Sequence, residues 1–61
     1  MSAKERERTV HEIRKLAVVR DRWLARAGKA ATNDEFRRYV SCAQTVADRI
    51  TLLTRRIPVT A

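Results

Sequence analysis

Apolar residues recur at steps of three and four in two runs separated by the single glycine, Gly28. The first run reads Val10, Ile13, Leu16, Ala17, Trp23, Leu24 and Ala27. The second reads Phe36, Tyr39, Val40, Ala43, Val46, Ala47, Ile50, Leu53 and Ile57. An α-helix turns about 100° per residue, so each set falls on one side of a helix. The spacing predicts an all-α chain: helix one over about 3–27, a loop over about 28–32, helix two over about 33–57 and a frayed tail over 58–61. A loop this short between two long helices favours an antiparallel hairpin, a single domain over 1–61 with neighbours near position numbers that sum to about 60.

Local punctuation agrees with those limits. Gly28 suits the left-handed position that commonly ends a helix, because it carries no Cβ. Thr32-Asn33-Asp34-Glu35 has the form of a capping box, in which the Thr32 hydroxyl accepts the Glu35 N–H and the Glu35 carboxylate reaches back to the Thr32 N–H. Asn33 as the cap is the rival frame. Pro58 stops helix two by disfavouring helical geometry at the residue before it.

Length then raises a question of stability. A chain of 61 residues buries only about 60% of its unfolded surface and needs extra support. One cysteine makes no internal disulfide, and one histidine beside it is too poor a ligand set for structural zinc. Oligomerisation remains. The apolar sector of helix two spans about 140° at 100° per residue, too wide for one neighbour to cover. The expected architecture is therefore a homodimeric four-helix bundle. Its interface is assigned to Leu16, Arg20, Val46, Ile50, Leu53 and Ile57. No apolar run reaches the roughly 18 residues of a membrane span, and no signal-peptide segment follows the charged N-terminus, so the chain reads as cytoplasmic.

Charge narrows the choice of partner. The formal net charge is +7, from 14 Lys and Arg against 7 Asp and Glu. Lys4, Arg8, His11, Lys15, Arg22, Arg26 and Lys29 fall within about 60° of arc on helix one, with no carboxylate inside it. A straight one-signed ridge meets several phosphates of a duplex at once. Lys4, Arg8, Lys15, Arg22, Arg26 and Lys29 are accordingly the nucleic-acid-binding candidates. The alternative is a solvated face, partly neutralised by neighbours such as Glu12 with Lys15 and Glu5 with Arg8. Helix two adds Arg38, Arg49 and Arg56 on one side of its apolar sector, and Arg37 and Arg55 on the other.

Other residues stand out less. Arg20 falls near the centre of the helix-one stripe, where an arginine needs a partner or an exit. It can snorkel to the bundle edge, form a register-fixing polar layer with Asp21 or a second hairpin's carboxylate, or mark a ligand site. Trp23, Phe36 and Tyr39 meet at the loop end as a core plug or, alternatively, a partner hot spot. Val18 and Val19 lie off the stripe beside the ridge, where they read as scattered exposed residues or as the start of a protein-binding patch. Cys42 reads as a semi-buried thiol near Arg38 and Arg49. His11 lies across from Arg49 and Ile50, away from Cys42. No nucleophile–base set, phosphate loop or inward carboxylate pair is present, so the expectation is a non-enzyme with no cofactor, metal or small-molecule substrate.

In size and hairpin pattern the chain resembles the Rop family of plasmid RNA-binding four-helix bundles. The resemblance covers architecture and carries over no residue. The expected function is regulatory binding of nucleic acid by a homodimer through the helix-one ridge. The alternative is an adaptor or inhibitor that docks on an acidic surface of another protein.

Overall fold

The computed structural model describes residues 1–58; Val59, Thr60 and Ala61, most of the tail expected to fray, lie outside them. Two helices, α1 (Ala3–Gly28) and α2 (Asn33–Arg56), pack side by side as a hairpin. The rod measures 46 × 15 × 14 Å.

Both helices begin with the same device. Ser2, in extended geometry, accepts the Glu5 N–H on its hydroxyl at 3.2 Å. Thr32 does the same for the Glu35 N–H at 3.1 Å. Each bond satisfies one of the four N–H groups a helix start leaves unpartnered, worth about 0.5–2 kcal/mol. Thr32 is therefore the cap and the Asn33 frame is excluded. The reciprocal half of the box does not form as the pattern predicts. Glu35 Oε1 instead accepts the Tyr39 hydroxyl at 3.1 Å, one turn further along. A half-buried phenol needs an acceptor more than the exposed Thr32 N–H does, since water can serve the latter. Thr9, Thr45, Thr51 and Thr54 lie within the helices with each hydroxyl returned to the carbonyl four residues earlier.

Gly28 departs from expectation. No described residue has a positive φ, and Gly28 is the last helical residue rather than a left-handed cap. The turn closes by tightened bonds, Lys29 N–H to the Arg26 carbonyl at 3.0 Å and Ala30 N–H to the Ala27 carbonyl at 3.2 Å. A Cβ at Gly28 would meet nothing within 4 Å. Gly28→Ala should therefore raise stability by about 0.4–1 kcal/mol, by restricting the unfolded chain. Urea denaturation checks this, and a loss of stability would mean that the turn needs glycine's freedom after all.

The core is thin. Only Ala27, Ala43 and Leu53 are buried among the described residues. Val10, Ile13, Leu16, Ala17, Trp23, Tyr39, Val40, Val46, Ala47, Ile50 and Ile57 are half-buried. Two stripe residues sit further out than the pattern predicts, Leu24 at 47% and Phe36 at 48% exposed. The reason is angular: Trp23 and Leu24 are about 100° apart, so one neighbouring helix cannot cover both. The structure turns Trp23 onto Tyr39, with ring centroids 5.9 Å apart and planes at 30°. Leu24 then rolls outward, and Phe36, opposite it in the hairpin register, lies out with it. The aromatic plug is thus two rings, not three.

Candidate nucleic-acid interface

The helical backbone of α1 carries the basic ridge without any bend to interrupt it. Lys4, Arg8, His11, Lys15, Arg22 and Arg26 are all exposed on it, and Lys29 is exposed at its C-cap. From Lys4 to Lys29 the ridge runs about 37 Å at 1.5 Å per residue. Among the described residues one ion pair occurs, between Arg20 and Asp21. The Glu12–Lys15 and Glu5–Arg8 pairs that would have dulled the ridge are not made, which leaves its cations facing solvent.

Arg26 alone on the ridge is held in place. Its guanidinium carbon lies 5.1 Å from the Trp23 ring centroid, within reach of a cation–π interaction. Trp23 thus carries Tyr39 on one contact and Arg26 on another, tying the loop end of the ridge to the core. The spacing of three between Trp23 and Arg26 was the available signal for this contact.

Arg20 resolves into an intrachain pair. Its Nε and Nη2 both donate to Asp21 Oδ1 at 3.2 Å, and its side chain is 37% exposed. The stem crosses the half-buried side of α1 while the head remains wet. The remaining interface candidates divide. Leu53, at 2% exposed, is enclosed by the hairpin itself, whereas Leu16, Val46, Ile50 and Ile57 retain open surface. Of the hot-spot candidates, Trp23 and Tyr39 are half-buried against each other and Phe36 stands exposed. Cys42 is a half-buried free thiol.

Two features fall outside the sequence-based readings, a hollow and Leu52, and two others named there keep their exposure. An open hollow of about 530 Å³ is lined by Arg6, Glu7, Val10, His11 and Arg14, between the ridge and the apolar stripe of α1. Leu52 is 51% exposed on the outer side of α2. Arg38, Arg49 and Arg56 line up along α2, all exposed. Val18 and Val19, at 51% and 38% exposed, stand beside the ridge.

Neither helix is long and apolar enough to cross a membrane. Comparison of the chain with protein-family models, curated proteins and solved structures finds no match in any of the three.

Proposed function

We propose that this chain is a non-enzymatic regulatory protein that pairs as a homodimeric four-helix bundle and binds duplex nucleic acid through the basic ridge of α1. The observation that carries the binding is the ridge itself: one sign of charge over about 37 Å, exposed, with no carboxylate paired to it. Duplex phosphates present one charge per about 1.7 Å of axis, so a straight cationic edge of this length engages several at once. The ridge lacks an exposed aromatic for base stacking and any base-reading motif, so recognition is by backbone charge.

Surface area supports the pairing. A compact monomer of 7.1 kDa should expose about 4,100 Å². The hairpin exposes 5115 Å², an excess of roughly 1,000 Å², against the roughly 800 Å² each partner buries in a standard interface. The radius of gyration of 14.4 Å likewise exceeds the roughly 10.5 Å of a compact chain this long. A second copy laid along the apolar side would reduce both excesses.

A mobility-shift assay with DNA and RNA duplexes across a salt series tests the reading. Binding should weaken steeply, with a log–log slope near −0.9 per phosphate neutralised on duplex DNA. The exposed Val18 and Val19 beside the ridge favour a second reading, docking on an acidic protein surface. Failure to bind either duplex at low salt would transfer the assignment to that class.

A further inference from the structure

The hairpin has two unlike long sides, and their placement bears on how many duplexes a dimer holds. Ala27 marks the direction in which α1 faces α2, and the midpoint between Ala43 and Leu53 marks the reverse direction. At 100° per residue, Leu24, Ala17 and Val10 lie about 60–100° round α1 from that contact line, and Phe36, Ala47 and Val40 lie about 60–100° round α2. Antiparallel helices are read in opposite senses, so equal offsets of the same sign land on the same side of the pair. These residues therefore form one apolar side, and the joint exposure of Leu24 and Phe36 agrees with that placement.

Offsets of the opposite sign carry cations. Arg8, Lys15 and Arg26 lie about 100–120° from the contact line on α1, and Arg38, Arg49 and Arg56 about 80–100° on α2. The spacing is 7 and then 11 residues on both helices, counted from the same end of the rod. The pairs Arg8 with Arg56, Lys15 with Arg49 and Arg26 with Arg38 each sum to 64, close to the 62 of the stacked Trp23 and Tyr39. Three cation pairs thus straddle the groove between the helices, over about 27 Å. Glu5 and Glu12 on α1 and Asp34 and Glu35 on α2 are the carboxylates on this side, and the six cations outnumber them.

We propose that the dimer bridges two nucleic-acid duplexes, one on each cationic back. The inference rests on the dimeric, nucleic-acid-binding reading above and adds valency to it. Two hairpins that bury their apolar sides against each other must turn the opposite sides outward in opposite directions, whichever way the two-fold axis runs. Each back then presents its own paired rows of cations to a separate polyanion. The α2 arginines, which the α1 ridge alone leaves without a task, complete each back.

A sandwich capture tests this with the full chain. One 30-base-pair duplex is fixed to beads and a second, labelled duplex is supplied in solution, in DNA and RNA arms. The protein should retain the second duplex several-fold above background, with a maximum at intermediate protein and a decline at excess, when every duplex is saturated separately. Bridging needs two backs, so Arg38→Glu with Arg49→Glu should lower capture by about the square of its effect on single-duplex binding. A 5-fold loss in the shift assay would become about 25-fold in capture. Leu24→Glu with Phe36→Glu, both at exposed positions, should keep the hairpin and single-duplex binding but retain no second duplex. Binding of one duplex without capture of another would overturn the bridging inference and leave the binding reading in place. No binding to either duplex would overturn both. Capture undiminished in the Leu24/Phe36 variant would overturn the dimer geometry on which bridging depends.

Discussion

Ile50→Asp should abolish both the fold and the assembly of this chain. Ile50 is half-buried on α2, about 20° from the line along which α2 faces α1. A chain of 61 residues has roughly 3–9 kcal/mol of stability in total. An unpaired carboxylate in an apolar seam costs several kcal/mol, and the nearby cations lie on the outer sides, too far round the helices to pair with it. Little stability would be left in the hairpin. If two copies share the seam, each dimer carries the penalty twice. Sedimentation equilibrium at micromolar concentration should give the native chain at least twice its 7.1 kDa mass. Circular dichroism should show the variant largely unfolded. A well-folded native monomer would overturn the four-helix bundle, and a folded Ile50→Asp variant would place Ile50 outside the packed seam between α1 and α2.

The periodicity made the hairpin readable because it records an angular property of each helix taken alone. The helix limits were equally local, since Thr32 with Glu35 and Pro58 act within one turn. The same S/T-x-x-E pattern at Ser2 and Glu5 was available and marks the start of α1 just as well. Features that depend on how the two helices rotate against each other were harder to read. Trp23 and Leu24 both belong to the stripe, and only the packed pair decides that Trp23 turns inward. Glu35 had two acceptable partners, and the placement of Tyr39 decided between them. Gly28 suited a left-handed cap by residue type, yet the loop closes without one, the Lys29 and Ala30 N–H groups bonding the Arg26 and Ala27 carbonyls. The ridge was legible as a helical arc. Its freedom from carboxylate pairing and the tether of Arg26 to Trp23 are choices of side-chain conformation within α1, which the spacing of three permits but does not decide.

That tether shapes the outcome expected when the ridge is reversed. Arg22→Glu should leave the helical fold intact, since Arg22 is exposed on the side of α1 away from α2. Arg26→Glu should cost a further 0.5–1 kcal/mol or so, because it also removes the guanidinium from the Trp23 face. Together the two reversals should weaken duplex binding roughly 10²-fold at low salt and lower the salt slope by about one unit for each phosphate no longer neutralised. The loss should be uniform across sequences, as a phosphate-reading surface requires. Titration of several unrelated duplexes with both variants measures this, and thermal melts separate the stability cost of Arg26→Glu from its effect on binding. A loss confined to one sequence would assign base readout to these arginines. Unchanged affinity with both reversed would place the binding surface off the ridge, on the α2 arginines Arg38, Arg49 and Arg56, which the sandwich capture interrogates independently. An acidic protein partner would also lose affinity to these reversals, so the naked duplex is the deciding ligand. With no protein present to supply carboxylates, only phosphates can respond to the change of sign.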